Sequence, residues 1–566
     1  MYMHFLHGDH RFIALAFNVE TCFLFPIHPT AMVFGNKMNK SIPLKKTAIV
    51  WPALPIARAY SLVVPLIVPL ALLALWYIST HYGWMPAQIL PAPGVVAKTA
   101  VELWHNDLLP QLFISLQRLA SGLLAGVLVG TLLGTLMGAS RRAEHLLHPT
   151  VYALAQIPTL GWIPLFMVLF GIDDGLKLAV IIKAVIIPVT LHTQTGVRNV
   201  PHALQEVAHT LRLPWHQRLI KLTLPAALPT WLTGLRLALS QAWVSLIVVE
   251  LLASSQGIGY LLVWGRQLFQ LDIVFVCIAV IGLAGLAMEW AINRLERRLV
   301  FWPHPPLSRL TTAPSRRLSA LVLPFLLLLL WQQASRFGWI DPLLLPPPAD
   351  VWHMLLQGIR DGSLTEAMQA SLTRALAGAV CGIIAGLVCG VLLGLNATSD
   401  ALFTPTVATL RQIALFAWLP LLTAWVGNDD VGKITFVALA SFFPMLVASH
   451  HGIRQRSQAL QEVAQVLQLR LATRLRVLIL PGAAPAIFAG LRLSLIYAWL
   501  GTIGAEYFMS SGTGIGSLMI NAQQLLDMPL IISGMLLIGL TGAVLDRVGL
   551  GLEQRMTRWR SAGEIT

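Results

Sequence analysis

Apolar residues in this chain gather into long runs separated by short polar segments. A helix needs roughly 20 residues to cross about 30 Å of hydrocarbon, and runs of about that length recur between residues 61 and 549. They lack the apolar–polar alternation of barrel strands, so they predict membrane-spanning helices. We expect about twelve, at residues 61–78, 111–138, 150–171, 176–197, 226–252 and 271–293, then at 318–335, 367–395, 402–427, 432–453, 483–508 and 527–549.

The overall composition agrees with a place in a lipid bilayer. Of the 566 residues, 56% are hydrophobic and only 11% are charged, a balance that a soluble surface cannot cover. The formal net charge of +14 is typical of proteins that bind nucleic acids, but here Arg and Lys lie in short loops between the apolar runs. We therefore expect no nucleic-acid partner. The four cysteines have no metal-ligand or redox spacing, so no metal site is predicted.

One long stretch of sequence occurs twice. QEVAHTLRL at residues 205–213 returns as QEVAQVLQL at 461–469, and SLQRLASGLLAG at 115–126 returns as SLTRALAGAVCG at 371–382. Repetition at a fixed offset predicts two homologous units in one chain. The predicted boundaries are a disordered tail over 1–60, with Met38 as an alternative start, a first unit over 61–300, a linker over 301–317 and a second unit over 318–560, with transmembrane cores over about 111–297 and 367–551.

The loops predict the topology. Six spans in each unit would place both copies of the repeated stretch on one side of the membrane. The loops at 198–221 and 454–476, the linker and the C-terminal segment are rich in Arg and Lys, which is typical of the cytoplasmic side. We expect the N- and C-termini to be cytoplasmic as well.

Glycines recur every four residues in the second span of each unit. On a helix this spacing makes one smooth stripe, which lets a neighbouring backbone approach closely in lipid. Helix packing is the favoured interpretation, and a sliding surface for conformational change is the alternative. The predicted packing residues are Gly122, Gly126, Gly130 and Gly134, then Gly378, Gly382, Gly386 and Gly390.

The repeated stretch predicts an amphipathic cytoplasmic helix in each unit. Apolar residues at 204, 207, 208 and 211 follow the helical spacing i, i+3, i+4, i+7. A helix lying on anionic headgroups is one interpretation. Docking in a groove of a partner protein is favoured, because a carboxylate would not stabilise a helix face that binds lipid. The residues predicted to contact the partner are Glu206, Val207, Ala208 and Leu211, with Glu462, Val463, Ala464 and Leu467 at the matching positions.

At these residues the chain resembles the permease subunits of binding-protein-dependent ABC importers, whose cytoplasmic loop carries Glu-Ala-Ala, a glycine and then Leu-Pro. The resemblance sharpens to the nitrate, aliphatic sulfonate and taurine importers in LFGIDDGLKL at 169–178 and VVELLASSQGIGYLL at 248–262. Both copies depart from the motif at its glycine, which is Arg212 in one unit and Gln468 in the other. Because of this departure, the turn after the helix could differ from the turn in the family.

The resemblance implies an all-α polytopic membrane protein of two tandem type I ABC importer transmembrane units, each of about six helices, related by a pseudo-two-fold axis along the membrane normal. It also implies a bacterial inner membrane location, a cytoplasmic ABC ATPase dimer that grips the repeated helices, and a periplasmic substrate-binding protein. The chain has no Gly-rich phosphate loop with Lys-Ser/Thr. ATP and Mg²⁺ would therefore bind the ATPase, while this chain would bind no cofactor and would not be an enzyme.

The cargo that the resemblance implies is a small organic or inorganic anion, with a sulfonate favoured. Carriers of taurine, nitrate, bicarbonate and thiamine precursors share these motifs, so the residues leave the choice open. A secondary transporter is a rival function, but it needs coupling-ion carboxylates in the membrane and no ATPase-docking helix. A membrane-embedded enzyme is another, and no constellation of His, Cys or carboxylates favours it.

Charged residues near the ends of spans are the candidates for a gate or pathway. Glu250 and Glu506 lie near the outer ends of the fifth spans, where a gate, an inter-helix hydrogen bond and a substrate contact all remain open. Arg118 and Arg374 lie near the outer face and could attract an anion, although snorkelling anchors are commoner. Lys183, in the fourth span, has no counterpart in the second unit and is not assigned to a site.

Overall fold

The computed structural model describes residues 55–302, 319–455, 458–509 and 511–558. Every regular element in these ranges is a helix. The predicted tail up to residue 54, the alternative start at Met38 and nearly all of the predicted linker lie outside the described residues.

The two units repeat the same order of helices. In the first unit these are α1 Pro55–His81, α2 Pro93–Leu103, α3 Leu109–Ala139, α4 Arg141–Gln156, α5 Ile163–Phe170, α6 Asp174–Arg198, α7 His202–Thr210, α8 Trp215–Arg218, α9 Leu224–Leu252, α10 Ile258–Gln267 and α11 Leu271–Leu299. In the second unit they are α12 Ser319–Arg336, α13 Pro348–Arg360, α14 Ser363–Leu395, α15 Ala397–Gln412, α16 Leu419–Trp425, α17 Asp430–Arg454, α18 Gln458–Val466, α19 Leu471–Arg474, α20 Leu480–Phe508, α21 Ile515–Gln524 and α22 Met528–Met556.

The membrane-spanning helices confirm an all-helical polytopic protein. Among the described residues, nine helices are long and apolar enough to cross a membrane, and the number is 11 if each of two sharply bent helix pairs is counted as one span. The remaining predicted span, at 318–335, is covered by α12, which is not one of those nine. The short helices α2 and α10, with α13 and α21 in the second unit, were not predicted as elements of the fold.

The third span predicted in each unit, at 150–171 and 402–427, is covered by two helices that meet at a sharp bend. α4 meets α5 at 89°, and α15 meets α16 at 91°. A 3-10 turn joins each pair, Thr159–Trp162 in the first unit and Leu415–Trp418 in the second. Pro158 lies within the break of the first unit and favours the extended conformation that Ile157, the residue before it, adopts. In the second unit Ala414 stands there, and the packing of Ile413 against Gly282 of α11 accompanies the same bend.

The glycine stripes lie where the second span of each unit packs along the fourth. A methyl group on Gly126 of α3 would lie 2.7 Å from Val185 Cβ of α6, and one on Gly130 would lie 2.9 Å from Val189 Cβ. The stripe of α14 faces α17 in the same way. The missing side chains let the two backbones approach closely, which matters in lipid because no hydrophobic effect drives the helices together.

The first helix of each unit packs against the other unit. α1 lies along α15, and α12 lies along α4. The exchange is supported by a hydrogen bond in which Trp425 Nε1 of the second unit donates to the carbonyl oxygen of Ile89 in the first, at 3.0 Å. The two units are therefore interlocked as well as joined in sequence.

Candidate functional site

Helices α7 and α18 follow the fourth span at what we call the inner end of each unit, and the opposite end, where α6 and α17 begin, is the outer end. Both helices present apolar side chains to the surface. Val207 and Leu211 are 55% and 65% exposed, and Val463 and Leu467 are 53% and 62% exposed. The two units thus display the same uncovered apolar face.

Other residues of these helices show how each one is seated. Ala208 and Ala464 turn inward and are each only 3% exposed, so the small side chain at this position faces the rest of the protein. Glu206 and Glu462 are exposed beside the apolar face. The structure therefore brings the predicted contact residues together on one surface in each unit, with the alanines beneath it.

A left-handed residue ends each of these helices. Arg212 and Gln468 both have a φ of 47°, the conformation for which glycine is the usual choice. The amide of Leu213 donates to the carbonyl oxygen of Ala208 at 3.1 Å, and the matching bond in the second unit is also 3.1 Å. Replacing the motif glycine therefore leaves the glycine-type turn in place in both units.

A buried ion-pair cluster occupies the outer end of the first unit. Both carboxylate oxygens of Glu250 accept from Ser115 Oγ at 2.8 Å, and one also accepts from the amide of Gly259 at 3.0 Å. Arg118 Nη1 lies 3.1 Å from Glu250 Oε1, and Arg118 Nε donates to Asp174 Oδ1 at 2.8 Å. The Glu250 side chain is fully buried.

The second unit repeats this cluster. Glu506 accepts from Ser371 Oγ at 2.7 and 2.9 Å and from the amide of Gly516 at 2.9 Å. Arg374 Nη1 lies 2.9 Å from Glu506 Oε1, and Arg374 Nε donates to Asp430 Oδ1 at 2.8 Å. The same four side-chain types and the same backbone donor are thus used twice.

These clusters fasten several helices together. Each joins the second, fourth and fifth spans to the start of the short helix that follows the fifth. A buried ion pair must recover a large desolvation cost, which requires that its remaining polar atoms be satisfied. Glu250 and Glu506 therefore serve as inter-helix hydrogen-bonding groups, while their roles as a gate or a substrate contact stay predictions.

Sequence reasoning missed a second pair of contacts, at the inner end. Arg198 pairs with Glu144, to which Gln194 Nε2 also donates at 3.2 Å. In the second unit Arg454 pairs with Asp400, and a histidine at the position of Gln194 contacts the same carboxylate at 2.7 Å. These contacts tie the fourth span to the helix after the glycine stripe. The opposite charges recur at matching positions in both units, which is the signal that could have revealed them.

These groups hold the helices that carry them in position through the bonds between them. The charged side chains of both clusters already bond one another, and among the described residues no group of three or more His, Cys, Asp or Glu side chains is placed to hold a metal ion.

Comparison with known proteins explains the duplicated architecture. The family model of the binding-protein-dependent transport system inner membrane component matches residues 126–301 and again 380–558, more than half of the chain. The chain belongs to this family. The two matches confirm the prediction of two permease units in one polypeptide.

Known permeases resemble one unit at a time. A putative aliphatic sulfonates transport permease protein of Bacillus subtilis is 37% identical over 249 residues, which is 90% of that relative but 44% of this chain. Its counterpart in Escherichia coli is 36% identical over 256 residues, 95% of the relative and 44% of this chain. The taurine transport system permease protein of Escherichia coli is 30% identical over 237 residues, 86% of the relative and 41% of this chain. One whole relative therefore corresponds to one unit of this permease.

Proposed function

We propose that this chain forms the complete transmembrane path of an ATP-driven importer, with one exposed helix per unit docked on each subunit of a cytoplasmic ABC ATPase dimer. The observation that carries the proposal is the matched pair of α7 and α18. They expose the same apolar residues beside the same glutamate, and a left-handed turn ends each helix. An ATPase dimer offers two equivalent sockets, which fits two equivalent helices in one chain.

The motion of the ATPase subunits would be transmitted to the transmembrane path through these helices. When nucleotide draws the ATPase subunits together, α7 and α18 would move with them. The contact of Glu144 with Arg198 lies directly before α7, so it would pass the motion from α7 to the broken third span. ATP and Mg²⁺ would be held by the ATPase, and this chain would bind no cofactor and catalyse no reaction.

The proposed orientation places the inner ends in the cytoplasm of a bacterial inner membrane. The distribution of Arg and Lys supports it, because the loops that carry α7 and α18 are basic. Both chain termini would then be cytoplasmic. A periplasmic binding protein would deliver cargo at the outer ends, where the buried ion-pair clusters hold the spans of each unit as one body.

The proposed cargo is a small organic anion that carries a sulfonate group. The support comes from relatives that match one unit at 30–37% identity, since these permeases are named for aliphatic sulfonates and taurine. Inorganic anions such as nitrate remain within the class that the motifs imply.

Reversing the charge on both docking helices tests the proposal. Glu206→Arg together with Glu462→Arg should leave the protein in the membrane but abolish co-purification with the ATPase. Glu102→Arg is the matched control, because Glu102 is also exposed but lies on α2. Retention of the ATPase by the double variant would contradict the docking model.

A further inference from the structure

Lys183 places a cationic group about halfway along α6, within a predicted membrane span. Its Nζ donates to the carbonyl oxygen of Ile157 at 2.8 Å and to Thr159 Oγ1 at 3.3 Å. The same nitrogen lies 5.8 Å from the centroid of the Trp162 ring, within range of a cation–π interaction. All three partners belong to the break between α4 and α5.

The second unit shows that the break does not need this cation. Leu439 stands at the position of Lys183, and Leu415 at the position of Thr159. The bend is nevertheless the same, 91° against 89°. A charged side chain at mid-bilayer costs about 2.5–3.5 kcal/mol on insertion scales, so such residues generally mark a functional site. The first unit bears this cost without any gain in the geometry of the bend.

Hydrogen-bond donors remain available around Lys183. An ammonium group has three N–H donors, and the described contacts use two of them. The Thr159 hydroxyl accepts from Lys183 and still has its own hydrogen to donate. The indole Nε1 of Trp162 is buried and has no hydrogen-bond acceptor among the described residues. A sulfonate has three oxygens that accept hydrogen bonds and carries the opposite charge.

This cluster of donors lies at the seam between the two units. Ile157 packs so tightly on α22 that a methyl group on Gly539 would lie 2.6 Å from Ile157 Cγ1. A methyl group on Gly161, within the same 3-10 turn, would lie 3.8 Å from Ile538 Cγ2 of α22. In this conformation the second unit therefore covers the turn, and separation of the units would uncover it.

We propose that Lys183, with Thr159 and Trp162, is the point within the membrane at which the anionic group of the cargo is held, and that the first unit alone supplies it. The inference rests on the proposed function, because it assumes that cargo passes along the seam between the units. It adds that the two units contribute unequally to recognition, although their folds and docking helices match.

Import by the complete transporter tests this assignment. Proteoliposomes would contain the full chain with its ATPase and its binding protein, and the probes would be radiolabelled taurine and methanesulfonate. The test variant is Lys183→Leu, which gives the first unit the residue that the second unit already tolerates. Leu439→Met is the matched control at the equivalent position, and Lys183→Arg retains the charge. ATP hydrolysis stimulated by the binding protein is measured in the same vesicles.

Lys183→Leu should lower sulfonate import about tenfold or more, the value of one hydrogen bond to a charged group. ATPase association and stimulated ATP hydrolysis should persist, Leu439→Met should import close to the wild-type rate, and Lys183→Arg should retain more import than Lys183→Leu because it keeps the charge. Wild-type import by Lys183→Leu would overturn the inference and leave the permease function intact. ATP-driven import of a neutral solute instead of either sulfonate would also overturn the inference and leave the permease function intact. Failure of the wild-type chain to associate with an ATPase would instead remove the proposed function, and the inference with it.

Discussion

Arg118 and Glu250 form a buried ion pair in which Nη1 and Oε1 are 3.1 Å apart. The residues are separated by 132 positions and belong to α3 and α9, so the pair fastens two membrane-spanning helices at the outer end of the first unit. Arg374 and Glu506 repeat the pair at the same separation in the second unit. Each unit is thereby fastened at one end by charge, independently of its partner unit.

Removing one member of the pair should lower the free energy of unfolding more than removing both. Glu250→Gln leaves the buried Arg118 without this charged partner, and breaking a buried pair in this way costs about 3–5 kcal/mol. Arg118→Met combined with Glu250→Gln removes the charges together and should lower the free energy of unfolding much less. The measurement is reversible unfolding of the chain in mixed micelles.

Asp107→Asn is the control for that experiment, because Asp107 is exposed and should change stability little. If the double variant lost as much stability as the sum of the losses from Arg118→Met and Glu250→Gln, each measured alone, the two side chains would not act as a pair.

The left-handed residue after each docking helix predicts a stabilising substitution. For an L-residue this conformation costs about 1–2 kcal/mol, and glycine avoids that cost at an entropic loss of about 0.5–1 kcal/mol. Arg212→Gly should therefore stabilise the end of α7 by about 0.5–1 kcal/mol. Hydrogen exchange at the amide of Leu213, which closes the turn, should become slower.

Arg218→Gly is the matched control for the turn. Arg218 has a φ of −60°, an ordinary helical value, so glycine there should destabilise by up to about 1 kcal/mol. Equal shifts of hydrogen exchange in the same direction for both variants would argue against a strained turn.

The contact between α3 and α6 predicts that a branched side chain cannot replace a stripe glycine. A Cβ on Gly130 would meet Val189 Cβ at 2.9 Å, so Gly130→Val should separate the helices and destabilise the unit by about 1–3 kcal/mol. The yield of monodisperse protein and its apparent melting temperature measure the effect. Gly551→Val on α22 is the control, since nothing lies within 4 Å of a Cβ there. Equal losses from both variants would mean that the stripe is not a packing seam.

Part of this structure could be predicted from sequence because it depends on periodicity and repetition. The duplication appears in the sequence as repeated segments, the spans as long apolar runs, and the docking helices as apolar residues at helical spacing. Even the substitution of the motif glycine at Arg212 and Gln468 could not change the turn, because the bond to the carbonyl of Ala208, and its repeat in the second unit, still closes it. Local pattern was therefore sufficient for local structure.

Long-range pairing was not predictable from one sequence. Glu250 and Arg118 each stand out in the sequence as charged residues near span ends, but local spacing does not indicate that residues 132 positions apart meet. The bend after α15 has Ala414 at the position where the first unit has a proline, so the sequence contains no local signal for it. Packing of Ile413 against α11 accompanies the bend. The exchange of α1 and α12 between units is likewise a property of the assembled bundle, because both helices are simply apolar along their length.

Membrane sidedness of the two docking helices tests the central claim most directly. In a chain without its native cysteines, Leu211→Cys and Leu467→Cys would be labelled singly with a membrane-impermeant maleimide, as both positions are more than half exposed. We expect both cysteines to react in inside-out vesicles and neither to react in right-side-out vesicles, and prior binding of the ATPase should protect both. Labelling of the two cysteines from opposite sides of the membrane would contradict this expectation.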